Sequence, residues 1–241
     1  MMRPVDLWHQ LILALVFLTR LPLGFLLPEE EVPLSRALWA FPLAGAAVGA
    51  ISALPLFLPG PPLVTATLAV VLAIWLTGGL HEDGLADFTD GMGGQTRDER
   101  LAIMRDPAVG SYGTLALLGC VILRIVSIAA LGPLALIGAA AAGRSAMVLA
   151  ASVLPPARPD GLGRAAARVG RDQLWAAGLI GAVLLAISGP AALAGIIAGL
   201  LVTGLVIRLA RDRLGGQTGD VLGTVAILTE TAVLASFALC A

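Results

Sequence analysis

Seven apolar stretches of about 20 residues divide this chain, and they constrain its fold more than any other feature. A helix of that length crosses the roughly 30 Å hydrocarbon core of a bilayer. Only 13% of the 241 residues are charged, too few to cover a soluble domain of this size. The sequence therefore predicts an all-α, polytopic integral membrane bundle that forms one domain over residues 1–241. The stretches cover residues 37–58, 63–80, 112–131, 134–154, 174–188, 191–209 and 221–240.

Residues 7–18 form a shorter apolar segment near the N-terminus. About 12 residues are too few to cross a bilayer comfortably, so we expect an interfacial or re-entrant helix. Asp6 and His9 interrupt its start, and Arg20 and Pro22 follow it where a signal peptide would carry small residues for cleavage. We therefore interpret this segment as part of the mature protein.

The connections between the stretches alternate between short uncharged turns and charged loops. An even number of apolar stretches separates each charged loop from the next, so all four loops can lie on one side of the membrane. The positive-inside rule makes that side cytoplasmic. We expect a multi-pass membrane protein with its chemistry on the cytoplasmic face and its C-terminus outside. The charged loops, which hold 12 of the 15 arginines, are residues 20–36, 81–111, 155–173 and 208–220.

Charge and cysteine content set aside other classes of protein. Proteins that bind nucleic acid usually carry a basic excess on one face, whereas the net charge here is −1. Cys120 and Cys240 lie inside apolar stretches, where a thiol usually acts as a small hydrophobic group. We therefore expect no nucleic-acid partner, no disulfide framework and no zinc site.

The loop that follows the second stretch begins with an unusual run of acids, His81-Glu-Asp-Gly-Leu-Ala-Asp-Phe-Thr-Asp90. If the preceding helix continues, Asp83, Asp87 and Asp90 share one stripe at spacings of i, i+4 and i+7. Like charges on one helix face repel each other, and a divalent cation would relieve the repulsion. Such carboxylates suit Mg²⁺, Mn²⁺ or Ca²⁺. His81 is a candidate base or phosphate donor, whereas Glu82 is on another face and is expected to be solvated.

Two further loop segments offer groups for an anionic ligand. Arg105 can hold a phosphate and Asp106 can orient it or bind metal, although Arg-Asp-Pro is also typical of an ordinary helix end. Gln217 and Thr218 lie in a glycine-rich run before the last stretch and offer donors at a helix N-terminus. Asp220 is either a further metal ligand or the N-cap of that helix.

Charged side chains also lie within or beside the apolar stretches. Arg124, Arg144 and Glu230 are intramembrane, where charges usually pair or line a cavity. A structural ion pair of Glu230 and a contact with a polar part of a substrate are both open, and Arg144 is the better candidate for substrate contact. Thr19 and Arg20 lie at the membrane boundary, where an arginine often snorkels.

Six blocks of sequence, in the same order, resemble the cobalamin synthase family of ribazoletransferases. Glu82 departs from the apolar residue expected between His81 and Asp83, which weakens any role for position 82 only. The blocks are Phe17-Leu-Thr-Arg-Leu-Pro22, Phe41-Pro-Leu-Ala-Gly45, Leu76-Thr-Gly-Gly-Leu-His-Glu-Asp-Gly-Leu-Ala-Asp87 with Asp90-Gly91, Ile103-Met-Arg-Asp106 with Gly110, Gly143-Arg-Ser145 and Leu214-Gly-Gly-Gln-Thr-Gly-Asp220.

The resemblance implies a Mg²⁺-dependent transfer, with Mn²⁺ as a substitute metal. In this reaction α-ribazole or its 5′-phosphate attacks the phosphate attached to adenosylcobinamide in adenosylcobinamide-GDP, and GMP leaves. Adenosylcobalamin or its 5′-phosphate forms. We therefore expect an enzyme of the bacterial cytoplasmic (inner) membrane, in contact with membrane lipid, and self-association or association with other enzymes of cobalamin assembly stays open.

Physical chemistry assigns roles in such a transfer to individual residues. Arg105 would stabilise charge on the transferred group, and His81 or one of the aspartates would accept the proton of the ribazole hydroxyl. The metal ligands would be Asp83, Asp87, Asp90 and Asp220. The substrate contacts would be Thr19, Arg20, Asp106, Arg144, Gln217 and Thr218.

Two other classes of membrane protein compete with this interpretation. The CDP-alcohol phosphotransferases share an Asp-Gly-x-x-Ala core, but here Asp87 follows Ala86 where that family has arginine, and the downstream spacing differs. A transporter that relays charge would carry acids near the middle of its spans and broken helices in paired halves. This chain concentrates its acids at one face, with Glu230 as the exception.

Overall fold

The computed structural model describes residues 4–30, 32–166 and 169–241, which fold into helices without any β-strand. Parts of two predicted loops, 20–36 and 155–173, therefore lie outside the described residues. Short 3-10 turns connect some of the helices. The helices are α1 (Pro4–Leu18), α2 (Leu34–Ala37), α3 (Phe41–Ser52), α4 (Pro62–Thr77), α5 (Leu80–Gly91), α6 (Arg97–Ile103), α7 (Ser111–Ile128), α8 (Pro133–Val153), α9 (Leu162–Ala165), α10 (Arg171–Ala186), α11 (Ala192–Leu214) and α12 (Gly219–Leu239).

Five helical segments of the described chain are long and apolar enough to cross a membrane, which confirms the prediction of an all-α polytopic protein. A sixth crossing arises if α4 and α5 count as one broken span. Seven were predicted, and two of these are too short in the structure. The stretch 63–80 corresponds to α4, which has 16 residues and counts only together with α5. The stretch 174–188 corresponds to α10, which has 16 residues and begins with Arg171 and Asp172. The five segments are Leu34–Phe57, Ser111–Ile128, Pro133–Val153, Ala192–Leu214 and Gly219–Leu239.

Helices α8 and α12 form the centre of the bundle. In the apolar part of each of these helices 72% is buried inside the bundle. The corresponding share in α11 is 22%, so most of its apolar surface faces outward. Small residues let neighbouring backbones approach, since a Cβ on Gly45 or Gly49 of α3 would collide with the backbone of α8. Gly143 of α8 lies equally close to the backbone of α12. This close packing is typical of membrane helices.

Large apolar side chains on the outer helices face away from the core. Trp75 of α4, Leu115 of α7, Trp175 of α10 and Leu201 of α11 are all exposed. In water such a surface would drive aggregation, but the hydrocarbon core of a bilayer solvates it. The exposed surface therefore fits the membrane as solvent.

The chain breaks between α4 and α5, so the acidic stripe does not continue the preceding apolar helix as we expected. Gly78 and Gly79 both take positive φ angles, 68° and 71°, in the left-handed region that glycine reaches without a steric penalty. The two helices meet at 88°. The break sends α5 between α7 and α12, where Gly84 lies against the backbone of Asp220.

Four charged side chains form a network inside the bundle. Glu230 of α12 accepts hydrogen bonds from Arg124 of α7, at 2.7 Å, and from Arg144 of α8. Arg124 also donates to Glu82 of α5, at 3.0 Å. The expectation that Glu82 is solvated is therefore wrong, because the face of α5 opposite the aspartates turns inward and meets an arginine. Two arginines and two carboxylates balance in charge, as burial requires.

Candidate active site

Three charged segments meet at one end of the bundle, and arginine side chains join them. Arg97 donates from Nε to the carbonyl of Leu214, at 2.8 Å, and from Nη2 to the carbonyl of Ala157, at 2.7 Å. Arg158 donates to the carbonyl of Leu101, at 2.8 Å. Segments far apart in the sequence therefore form one surface, as the pattern of charged loops predicted.

Gln217 fixes two of these segments to each other. Its backbone pairs with that of residues 155–157, through bonds of 2.8 Å to the carbonyl of Pro155 and from the amide of Ala157. Its side chain is 1% exposed and donates to the carbonyl of Gly163. Gln217 was predicted to contact substrate. In the structure its side chain is instead buried beneath the loop that contains Gly163.

Carboxylates gather where α5 passes the start of α12. Asp83 is exposed and Asp87 is half-buried, and neither carboxylate has a hydrogen-bond partner within the described part of the chain. Asp83, Asp90 and Asp220 all repel the charge on Asp87, and Arg158 partly offsets them. The predicted stripe thus becomes a concentration of negative charge beside the first turn of α12.

Carboxylate oxygens are the ligands that Mg²⁺ prefers, so the chemistry of this donor set fits the ion. No three His, Cys, Asp or Glu side chains of the described chain lie close enough together to form a complete cage. Mg²⁺ usually takes one or two carboxylates and completes its shell with water and substrate phosphates. The free carboxylates of Asp83 and Asp87 match that incomplete kind of site.

Asp90 is used differently from the other two acids of the stripe. Its two carboxylate oxygens accept hydrogen bonds from the amides of Gly110, at 2.7 Å, and Gly113, at 2.8 Å. These amides belong to the start of α7, where a carboxylate satisfies free N–H groups and interacts favourably with the helix dipole. Its contacts tie α5 to α7, and its assignment as a metal ligand stays a prediction.

Asp220 and Thr218 lie together at the start of α12. The hydroxyl of Thr218 accepts a hydrogen bond from the amide of Val221, at 3.2 Å, and is therefore the N-cap. The same hydroxyl donates to Asp220, at 3.1 Å. The cap is thus Thr218, which leaves one oxygen of Asp220 for another partner.

A cavity of about 300 Å³ opens beside Asp220. Two arginines line it: Arg105, which pairs with both oxygens of Asp160 at 3.0 and 3.1 Å, and Arg158, whose Nη1 is 3.8 Å from Asp220. Partial burial lowers the pKa of Arg158; Asp220 opposes that effect and Arg105 adds to it. An arginine keeps its charge at neutral pH despite such a shift.

Sequence reasoning did not single out Arg158. The signal available was its place in a charged loop between two prolines, Pro155-Pro-Ala-Arg-Pro159. That pattern alone does not show which arginine of the loop faces the acids, because the contact with Asp220 spans 62 positions, the difference between their residue numbers.

Other predicted site residues lie elsewhere. His81 is 1% exposed, and its ring nitrogens have no hydrogen-bond partner among the described residues. It lines a cleft of about 20 Å³ beneath the surface, together with Gly219 and Gly223. Arg144 is 2% exposed and is bound to Glu230 inside the bundle. The structure therefore does not bring His81 or Arg144 to the cavity wall.

The last three predicted site residues, Thr19, Arg20 and Asp106, do not line the cavity either. The hydroxyl of Thr19 donates to the carbonyl of Leu15 and accepts from the amide of Leu21, which ends α1. Arg20 is exposed and its guanidinium covers Gly78 at the break between α4 and α5. Asp106 is exposed and accepts from the amide of Ala108, so it shapes its own turn. Their contacts with substrate stay predictions.

The fold and the site together define a polytopic membrane protein that presents carboxylates and arginines at one end of a helical bundle. The profile of the cobalamin-5-phosphate synthase family matches residues 10–238, and the chain belongs to this family.

Similar proteins cover nearly the whole chain. A protein of Azorhizobium caulinodans is 42% identical, with 92% of each chain covered. One from Bradyrhizobium diazoefficiens is 40% identical, over 92% of this chain and 90% of the relative, and one from Sinorhizobium medicae is 37% identical, over 97% of each. All three bear the name adenosylcobinamide-GDP ribazoletransferase. No solved structure matches the chain.

Proposed function

We propose that this chain transfers the adenosylcobinamide phosphate group of adenosylcobinamide-GDP to α-ribazole or α-ribazole 5′-phosphate, with Mg²⁺ as cofactor. The family assignment and the names of the relatives support this reaction. The structural observation that carries the metal dependence is the pair of unpartnered carboxylates, Asp83 and Asp87, next to Asp220.

The reaction exchanges one bond to phosphorus for another. The ribazole hydroxyl oxygen forms a bond to the phosphorus attached to adenosylcobinamide, and the bond from that phosphorus to the GMP oxygen breaks. The hydroxyl proton passes to a base, and GMP leaves with the electron pair of the broken bond. Enzymes of this kind work mainly by positioning and by stabilising charge.

Asp83 and Asp87 would hold the ion, with Asp220 as the third candidate ligand from α12. When bound, Mg²⁺ neutralises charge on the diphosphate and on the leaving phosphate. Arg105 would bind oxygens of the transferred group, as its guanidinium is exposed toward the cavity and its present partner is a surface carboxylate.

An aspartate of α5 suits the role of base better than His81. A base must reach the hydroxyl within hydrogen-bond distance, directly or through one water. Asp83 and Asp87 lie at the surface of the site, whereas the ring of His81 is closed off beneath it. His81 would instead support the turn from α4 into α5 from below.

The orientation in the membrane is part of the proposal. The charged segments share one end of the bundle, and the positive-inside rule places that end in the cytoplasm, where nucleotide substrates are made. The membrane would be the bacterial inner membrane, as the relatives are bacterial proteins.

The test is product formation by purified protein in lipid nanodiscs, given adenosylcobinamide-GDP, α-ribazole 5′-phosphate and Mg²⁺. We expect a cobalamin product and GMP in equal amounts, loss of both with EDTA, and recovery when Mg²⁺ or Mn²⁺ is added back. Asp83→Asn and Asp87→Asn should each need far more Mg²⁺ for half-maximal rate. The matched control is Asp212→Asn, an exposed acid of α11 outside the site.

Two results would contradict the proposal. Folded wild-type protein that forms no product would exclude the reaction. Full activity in EDTA would exclude the metal dependence while leaving the transfer itself in place.

A further inference from the structure

The cavity beside Asp220 is lined by two arginines and by two carboxylates, those of Asp160 and Asp220. Its described walls bring together Arg105 from the α6–α7 loop, Arg158 from the α8–α9 loop, and Thr218 and Gly219 from the start of α12. Its volume of about 300 Å³ exceeds what water alone would need. Arginines that converge from separate loops on a helix start are typical of phosphate recognition.

Arg158 is held at the cavity without its hydrogen-bonding capacity being used up. Nη2 donates to the carbonyl of Leu101, which fixes the direction of the guanidinium. Nη1 is 3.8 Å from Asp220, too far for a hydrogen bond, and the buried Nε has no partner among the described residues. Nη1 therefore keeps hydrogen-bonding capacity for an oxygen ligand in the cavity.

Arg105 lines the same cavity, but unlike Arg158 it is already hydrogen-bonded to a carboxylate, that of Asp160. Both oxygens of Asp160 lie within 3.1 Å of its Nη2, and both side chains are more than half exposed. Exposed ion pairs contribute little to stability and exchange readily. Asp160 therefore presents two oxygens to Arg105 much as a phosphoryl group would.

We propose that this cavity binds a phosphoryl group between Arg158 and Arg105, and that Asp160 occupies Arg105 until the phosphoryl group displaces it. Arg158 and Asp160 are thereby assigned to binding, one as a contact and the other as an internal competitor. The inference rests on the proposed function for the identity of its substrate, though not for the chemistry of the cavity.

Two phosphoryl groups of the reaction share this chemistry. One is the diphosphate of the cobinamide donor, and the other is the 5′-phosphate of the ribazole acceptor. Asp220 lines the cavity and interacts electrostatically with Asp87, so the carboxylates that would hold a metal and the arginines could act on the same phosphate-bearing substrate. The kinetic arms below separate the two sources.

The first experiment measures binding without turnover. Radiolabelled inorganic pyrophosphate is equilibrated with the full-length protein in nanodiscs, with Mg²⁺ and without cobinamide substrate. Arg158→Gln should weaken binding about tenfold or more, which is the range expected for one charged hydrogen-bonding partner. Asp160→Asn should tighten binding by up to about fivefold, because the competitor loses its charge. Asp212→Asn should leave binding unchanged.

The second experiment locates the phosphoryl group by steady-state kinetics. If the cavity holds the diphosphate, Arg158→Gln raises KM for adenosylcobinamide-GDP whichever acceptor is used. If it holds the 5′-phosphate, the substitution raises KM for α-ribazole 5′-phosphate and leaves that for free α-ribazole unchanged. Arg158→Lys, which keeps the charge but not the planar fork, should lie between Gln and the wild type.

The tightening by Asp160→Asn keeps the proposal testable even if Arg158→Gln fails to fold, since misfolding does not raise affinity. Pyrophosphate affinity that is the same in wild type, Asp160→Asn and folded Arg158→Lys would overturn the inference. Pyrophosphate binding with this dependence in a protein that forms no cobalamin would overturn the proposed function and leave the phosphoryl site standing.

Discussion

The guanidinium of Arg124 on α7 lies 2.7 Å from the carboxylate of Glu230 on α12, from Nη2 to Oε1, in the interior of the bundle. The other terminal nitrogen of Arg124, Nη1, donates a hydrogen bond to Glu82. Glu82 lies two residues after the start of α5, the helix that follows the glycine break. The far side of Glu230 is bound by Arg144 of α8. The helix that carries the acidic stripe is thus fixed to the core from its back face.

Glu230→Gln should destabilise the protein strongly. The substitution keeps the size of the side chain but leaves Arg124 and Arg144 with a single carboxylate, that of Glu82, between them. Removing one partner of a buried ion pair typically costs about 3–5 kcal/mol. Unfolding of the purified protein in mixed detergent micelles, followed by loss of helical circular dichroism, measures this difference.

Ser236→Ala on the same helix is the matched control, because Ser236 donates only to a carbonyl one turn earlier, that of Val233. It should unfold within about 0.5 kcal/mol of the wild type. A Glu230→Gln protein that unfolds together with this control would mean that the ionic network does not stabilise the bundle.

The apolar pattern predicts most of the bundle, and its limits have a physical cause. The stretches 112–131 and 134–154 differ from α7, Ser111–Ile128, and α8, Pro133–Val153, by a few residues at most. The break at Gly78 and Gly79 was not predicted, because two glycines in an apolar run are equally typical of close helix packing. Whether such glycines break the helix or allow close packing depends on the helices that α5 packs against.

In the site, too, the sequence predicts local features but not the contacts between distant residues. The stripe of Asp83, Asp87 and Asp90 follows from helical spacing, which is a local property of the sequence. The pairing of Glu82 with Arg124 joins residues 42 positions apart, and that of Arg158 with Asp220 joins separate loops. Without the packing of α5 there is no sequence signal that assigns either partner.

Asp90→Asn and Asp87→Asn should fail in different ways. Asp90 holds the amides of Gly110 and Gly113, and an amide side chain offers them one oxygen in place of two. Asp90→Asn should therefore loosen the segment 105–113, with little direct effect on the metal. Asp87→Asn has no backbone partner to lose and should weaken the binding of Mg²⁺.

Hydrogen–deuterium exchange of the two variants in nanodiscs distinguishes these effects. Amides 110–113 should exchange at least about tenfold faster in Asp90→Asn, if the lost contact is worth a charged hydrogen bond, and at the wild-type rate in Asp87→Asn. Unchanged exchange in Asp90→Asn, together with a loss of Mg²⁺ affinity, would instead support the prediction that Asp90 is a metal ligand.

Gly84→Ala should reduce activity through the contact between α5 and α12. A Cβ at this position would lie 2.9 Å from the carbonyl oxygen of Asp220, so the two helices must separate. Alanine favours a helix over glycine, so local propensity does not cause the loss. A shift of about 1 Å between reacting groups can cost on the order of 100-fold in rate.

Gly119→Ala on α7 is the control for this substitution, since a Cβ there meets no other atom within 4 Å. Rates for both variants come from the cobalamin assay at saturating Mg²⁺. Equal activity of the two proteins would show that the spacing between Gly84 and Asp220 does not matter to the reaction.

The orientation of the chain can be tested at its own cysteines. Cys240, at the end of α12, is exposed, whereas Cys120 is buried among α7, α5 and α12. With the charged segments in the cytoplasm, Cys240 lies on the outer side of the membrane. A membrane-impermeant maleimide should label it in intact spheroplasts, and Cys240→Ser should abolish the labelling.

Asp98→Cys, placed in the Cys240→Ser protein, provides the opposite marker. Asp98 belongs to α6, its side chain is 93% exposed, and it lies at the charged end of the bundle. The maleimide should reach this position only after the spheroplasts are opened. Because the two positions mark opposite ends of the bundle, labelling of Asp98→Cys in intact spheroplasts, with Cys240 protected in the parent protein, would reverse the orientation. The carboxylates would then face away from the nucleotide pool, and the cytoplasmic site would have to be abandoned.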